Sequence, residues 1–172
     1  MLVVLVLLSV MLLGGLALTR LTEIGTLASG NAAYHEAALQ ASEIGINNAY
    51  VAVRGLTAED TSISSWYSAT ALVKDSNGLP SGVNWTAAPE TVVGSSSGLQ
   101  FSVRYVAERA CTTTPVTNVL RQCLVKQDPD PMHSRSGGPL LDPVNSKQFR
   151  ITVRVTGPKG TLTWVQSLVT KG

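Results

Sequence analysis

The chain has 172 residues, 44% hydrophobic and only 14% charged, with 13 basic and 11 acidic side chains and a formal net charge of +2. So small and dispersed an excess does not demand a nucleic-acid or anionic-lipid partner. Two histidines and two cysteines leave little material for a metal centre or a nucleophilic triad. Beyond residue 54 about 120 residues remain, enough for one modest core and not for two domains.

Met1 to Leu18 carries no charge and is almost entirely Leu, Val, Met, Ala and Gly. As a helix this run is roughly 27 Å long, just sufficient to cross a hydrocarbon core. A cleaved secretory signal would carry a basic n-region and a shorter apolar stretch. Arg20 follows the run, so positive charges alone would place the body in the cytoplasm. The cysteine-bearing body reads instead as exported, which implies a short basic leader upstream of Met1.

Helical periodicity continues through Arg20 and Glu23 to about Arg54, with no proline between Thr22 and Arg54. Ile24, Leu27, Leu39, Ile46, Tyr50 and Val53 form one apolar stripe, flanked by Ala28, Ala38, Ala41, Ala49 and Ala52. Those small residues would let a sheet or another helix approach closely. Glycines at 14, 15, 25, 30 and 45 each weaken the helix by about 1 kcal/mol relative to Ala. Gly14 and Gly15 fall inside the apolar run, where the helix can bend or unwind. Each glycine alone is tolerable, but five together point to close packing or flexibility. The expected organisation is therefore a helical segment, 1–54, running directly into a head, 55–172.

Residues 56–98 are rich in Ser, Thr, Gly, Asn and Pro, with turn signals at Asn77-Gly78 and Pro80-Ser81-Gly82. They predict a long irregular connection with a short helix near 61–73 and a short strand around Thr91 to Val93. Asn84-Trp85-Thr86 fits a glycosylation sequon, a match that also arises by chance. Four strands are then expected: Leu99–Tyr105, Asn118–Lys126, Gln148–Val155 and Thr161–Val169. Strict alternation in the first and third marks one buried and one wet face. Gly157-Pro158-Lys159-Gly160 turns the last two into a hairpin. The meander needs a cover, and the N-terminal helix is the long element available. The expected fold class is α+β, a long helix laid on a four-stranded antiparallel sheet after a long connection.

Cys111 and Cys123 are expected to form a disulfide worth about 3 kcal/mol in an exported domain. Free thiols or half a metal site are the alternatives, with His35 and His133 as the only further soft ligands. Asp128, Asp130 and Asp142 in the stretch 126–147 match no calcium-loop spacing, and solvated loop carboxylates are the simpler reading. No phosphate loop, dinucleotide fingerprint or metalloprotease helix occurs, so neither an enzyme nor a cofactor is expected. Arg104, Arg150 and Arg154 alternate to the sheet's outer face, with Arg121 a possible fourth. They would either bind a partner protein or DNA, or simply solvate an exposed face. The stretch 126–147 is long for a strand connection and is a second candidate surface.

With Gly30-Asn31 and Gln40 and Glu43 on its long helix and the C-terminal hairpin from Phe149, the chain resembles the type IV pilins, and among them minor pilins of the PilX type. The likeness rests on the apolar helix with Gly30-Asn31 and then Ala38-Leu39-Gln40-Ala41-Ser42-Glu43, and on the hairpin strand Phe149-Arg150-Ile151-Thr152-Val153-Arg154-Val155-Thr156-Gly157-Pro158. It covers roughly residues 1–54 and 147–170. The resemblance implies a subunit with a basic leader cleaved and N-methylated by a prepilin peptidase. It implies residence in a bacterial inner membrane with the head in the periplasm, then export into an extracellular pilus. The helix would pack against other major and minor pilins, and a PilC/PilY-type tip adhesin is a further partner. Most major pilins carry a glutamate early in the apolar segment, and Met1–Leu18 has none. That departure fits a subunit at or near the tip that primes assembly, or simple tolerance of the loss. A type II secretion pseudopilin and a membrane-anchored binding module remain the alternatives.

Overall fold

A computed structural model describes residues 1–94, 99–125 and 147–171. The elements are α1 (Leu2–Arg54), β1 (Tyr67–Ser68), β2 (Glu90–Gly94), β3 (Gln100–Arg109), α2 (Val119–Gln122), β4 (Lys147–Thr156) and β5 (Leu162–Lys171), with a 3-10 turn at Pro158–Gly160 before β5. Contacts divide the chain into Met1–Ala37 and Ala38–Gly172, so α1 contributes to both units. The helix is continuous over 53 residues and ends at Arg54, a cation that favours the negative end of the helix dipole. Gly55 follows and closes the last turn by donating its N–H to Val51 O at 3.0 Å.

Within Ala38–Gly172 the fold is α+β, the end of α1 packed on a five-stranded mixed sheet. The central strand β3 pairs β4 antiparallel along one edge. Along the other it pairs β2 antiparallel and, further on, β1 in parallel. Antiparallel β5 completes the order beyond β4. The sheet is thus mixed and five-stranded, where the alternation of the sequence pointed to a four-stranded antiparallel one.

Period-2 alternation sorts the strands as expected. Phe101, Val103, Tyr105 and Ala107 of β3 face inward beside Phe149, Ile151, Val153 and Val155 of β4, and all are buried. The α1 face that covers them is built of Ala38, Ala41, Ser42, Gly45, Ala49 and Val53. A Cβ on Gly45 would stand 2.5 Å from Val103 Cγ1 and 2.8 Å from Val153 Cγ1, so only glycine permits this approach. Asn48 Nδ2 donates to Thr91 Oγ1 at 3.1 Å, fastening the helix to β2. The buried stripe is therefore mainly the small-residue face, with Ala38, Ala41 and Ala49 as expected, and Val53 is the one member of the larger stripe that is buried. Ile24 and Leu27 of that larger stripe are exposed, and Tyr50 is only partly covered.

Two further expectations are corrected. The short helix near 61–73 is replaced by turns and the two-residue β1. Hydroxyls compete for the backbone there: Ser62 Oγ accepts from Ala69 N–H, and Ser68 Oγ donates to Thr70 O. The strand expected over Asn118–Lys126 opens instead as the single turn α2. Asn118 Oδ1 caps it by accepting from Arg121 N–H, and Gln122 Oε1 accepts from the N–H groups of Thr117 and Asn118. Cys123 and Val125 keep only isolated bridges, to Cys111 and Lys147. The strand at Thr91–Val93 and the final hairpin are present as β2 and as β4–β5.

Candidate functional site

The first unit, Met1–Ala37, buries none of its side chains, and its large apolar residues from Leu2 to Leu27 stand well exposed. By length and composition α1 is long and apolar enough to cross a membrane, a single N-terminal segment compatible with an anchor. Four of its hydroxyls are satisfied by the helix's own carbonyls. Ser9 Oγ donates to Leu5 O at 2.8 Å, Thr19 Oγ1 to Gly15 O at 2.8 Å, and Thr22 and Thr26 return to carbonyls three residues back. Every helical N–H beyond the first turn already has its partner, the condition hydrocarbon imposes on a backbone. The helix runs unbroken through Gly14 and Gly15, and nothing lies within 4 Å of a Cβ placed at either. Gly30 is half-buried and equally free of neighbours, while Asn31, Gln40 and Glu43 are exposed.

The outer face of the sheet is not open. Residues 69–88 cross it, held by Leu72 N–H to Glu108 Oε2 at 2.6 Å and by Gln166 Nε2 to Gly78 O at 3.1 Å. A turn at Asp75–Leu79 shapes this cover, Asp75 Oδ1 accepting the N–H groups of Asn77 and Leu79, with Gly78 at φ 76°. The strand register places Glu90, Arg104, Arg154 and Trp164 side by side in one row. Arg104 donates to Glu90 Oε2 at 2.9 Å and to Trp85 O at 2.7 Å. Arg154 lies over the Trp85 ring, 5.4 Å from its centroid, and Trp85 meets Trp164 edge-on at 5.0 Å. Burial and the neighbouring Arg104 cation lower the Arg154 pKa. Glu90 also accepts from Ser102 Oγ, and that bond and the Arg104 guanidinium hold its carboxyl below the usual range. Arg150 donates to the buried Glu108 at 2.7 Å.

The three arginines of the sequence reading thus share a face, and each has a partner: a carboxylate for Arg104 and Arg150, an indole for Arg154. Arg121 lies on α2, outside that row. The carboxylates that neutralise the face, Glu90 and Glu108, sit opposite Arg104 and Arg150 in the register. Alternation in Thr91–Val93 carried no hint of pairing partners, so this was not readable without the strand order.

Two polar clusters escaped sequence reasoning. Arg109, fully buried, donates through Nε to Ala69 O at 2.9 Å and through Nη2 to Asp60 Oδ1 at 2.6 Å. The Arg109 hydrogen bond sets the Asp60 carboxyl below its ordinary pKa. Glu59 takes Lys147 Nζ and Lys171 Nζ, each at 3.0 Å. Burial pulls its carboxyl up, but the two lysines outweigh that and leave it below the ordinary value. Burial also pushes the Tyr67 hydroxyl up to about 12 and raises that of Tyr105. The signal for Arg109 was its odd-numbered place, in phase with Phe101 and Val103, had β3 been extended past Tyr105.

Cys111 and Cys123 are joined by a disulfide. Among the described residues no group of three His, Cys, Asp or Glu side chains is arranged to hold a metal. The stretch 126–146, with Asp128, Asp130, His133 and Asp142, lies outside the described residues. Asn84 and Thr86 of the sequon are exposed, the Thr86 hydroxyl donating to Asn84 Oδ1 at 2.6 Å. One open cavity of about 290 Å³ lies between Tyr50, Val53 and Arg54 of α1 and Val169, Thr170 and Lys171 of β5. No family model, curated protein or solved structure matches this chain.

Proposed function

We propose that this chain is a structural subunit of an extracellular filament, a minor pilin that primes or extends a type IV pilus. The observation that carries the reading is a single 53-residue helix whose apolar, wholly exposed first part runs without a break into a part buried on a sheet. A simple anchor needs no such continuity, since a flexible linker would serve. An apolar helix that must leave lipid and enter a filament core has to stay joined to its head without a loose linker. The disulfide supports an exported head. The absence of a carboxylate from Met1 to Leu18 supports a place at or near the tip, where no preceding subunit offers an amine to neutralise one. In this reading the chain resides in the inner membrane before assembly and on the cell surface afterwards, with other pilins and a tip adhesin as its partners.

Intact-mass spectrometry of sheared surface filaments tests it. The expected outcome is a processed, N-methylated form of this chain at low ratio to a major subunit. An unprocessed chain confined to the inner membrane would sink the pilin reading and leave a membrane-anchored binding module.

A further inference from the structure

Beyond β5 no described strand continues the sheet. The hydrogen-bond phase of the hairpin says which backbone groups that edge offers. Gly157 N–H donates to Thr161 O at 2.8 Å, so this facing pair is hydrogen-bonded. Alternation along an antiparallel ladder then turns the backbone groups of Thr163, Val165, Ser167 and Val169 toward β4. Those of Leu162, Trp164, Gln166, Leu168 and Thr170 face the other way, onto the free edge. The Ala110 N–H to Gln148 O bond, 2.9 Å, on the far side of β4 has the phase this assignment requires.

Sheet edges exposed in soluble proteins are usually blunted by charge, proline or a bulge. None of these protects β5. Leu162–Thr170 contains no charged residue and no proline, and it pairs with β4 position by position without a bulge. Leu162 and Leu168 are more than half exposed on it. The cavity described above opens where α1 meets the last residues of this strand. Of its two cations, Lys171 is engaged by Glu59 and Leu56 O. Arg54 is exposed and makes no ion pair among the described residues.

We infer that the β5 edge accepts an extended strand from a different polypeptide, uncharged along its length and carrying an acidic group at the end that reaches Arg54. The backbone groups of the five edge residues supply the affinity, and the cavity selects the terminal side chain. A second copy of this chain is the poorer occupant on charge. Two-fold pairing of β5 edges is antiparallel and would bring the Leu162 end of the other copy toward Arg54. The hairpin Gly157–Lys171 contains no acidic residue, and Lys159 lies three positions before Leu162. The inference stands on the β5 edge, the cavity and Arg54, and is independent of the pilin reading.

The test is residue-resolved amide exchange on the full chain in detergent micelles. The probe is a synthetic nonapeptide of alternating valine and threonine ending in glutamate, compared with one ending in lysine. In the chain alone, Trp164, Gln166, Leu168 and Thr170 exchange fast while Thr163, Val165 and Ser167 exchange slowly. The glutamate peptide slows the first set about tenfold and the lysine peptide slows it less. Leu168→Pro, which removes one outward N–H and no bond to β4, abolishes the effect while Thr163 and Val165 stay slow. Should that variant not fold, Leu168→Lys, which places a charge on the edge, is expected to weaken the protection in its place. Slow exchange of the first set without peptide overturns the inference. If independent of concentration, it means the chain covers its own edge; if concentration-dependent, it makes a second copy the occupant. No protection by millimolar glutamate peptide, or equal protection of Leu168→Pro, overturns it too.

Discussion

The two parts of α1 invert the usual relation between apolarity and burial. From Met1 to Ala37, where leucine and valine dominate, nothing is buried; from Ala38 to Arg54 six residues are buried, and five of them are Ala, Ser or Gly. A leucine left in water forgoes roughly 1.5–3 kcal/mol relative to burial. The first part is therefore compatible with a membrane anchor, where its exposed side chains would meet lipid. The second part gains its stability through proximity. Small side chains bring the helix backbone close to Val103 and Val153, and the valines supply the contact area that the helix does not. Two large residues of that same part, Ile44 and Val51, stay exposed, and Val53 is the one that is buried. One helix thus carries two surfaces of opposite construction, and each should fail to a different kind of substitution.

The largest effect is expected in the first part. Val10→Arg puts a charge at the middle of the apolar run and should make membrane residence less favourable by about 3 kcal/mol. The fraction of chain resisting alkaline extraction from membranes measures this, and the thermal midpoint of the head should not move. An unchanged fraction together with a lowered midpoint would reverse the assignment of the two parts. Gly45→Leu is the complementary break. Its side chain would occupy space already filled by the Val103 and Val153 methyls. Overpacking of this kind costs about 2 kcal/mol, even though leucine is the better helix former. Near-ultraviolet circular dichroism during heating should show the midpoint fall, with membrane extraction as in the parent chain. A raised midpoint would mean that propensity outweighs packing, and that close approach is not what holds the helix to the sheet.

This contrast also explains what the sequence could and could not disclose. The extent of α1 was legible to the residue at its C-terminal end because Gly55 and the Ser/Thr-rich stretch stop a pattern that nothing earlier interrupts. β4 and β5 were legible because alternation and a Gly-Pro-Lys-Gly turn are local signals. The buried face of the helix was legible in part: Ala38, Ala41, Ala49 and Val53 are buried, but periodicity weighs large apolar residues and so also enlisted Ile24 and Leu27, which are exposed. β1 could not be seen because it is two residues long and exists through its parallel pairing with Ala107 and Glu108. For the same reason the outer arginines looked free: Arg104 meets Glu90, fourteen residues away, and Arg150 meets Glu108, forty-two away. Separations of that kind are set by strand order, which no local pattern records.

The smallest of the three effects concerns charge, and it again separates the parts. Among the described residues none of the charged side chains of Met1–Ala37 forms an ion pair, whereas in the head Glu59 bridges Lys147 at the start of β4 and Lys171 at the end of β5. Glu59 is about one-fifth exposed and its folded pKa lies below the ordinary carboxylate value. A depressed acid stabilises the fold above its unfolded pKa, about 4.3, and loses that contribution as pH falls through the folded value. Glu59→Gln should therefore cost about 1 kcal/mol at neutral pH, because it removes the bridge and leaves the two ammonium groups without their shared carboxylate. As pH falls below the unfolded value and through the lower folded one, the variant and the parent should converge, since both then lack the charge. Denaturant unfolding at pH 7 and pH 3 measures the difference directly. A gap that persists undiminished at pH 3 would show that the substitution acts through something other than the carboxylate charge, and the ion bridge would then contribute nothing to closing the hairpin ends onto the segment that follows α1.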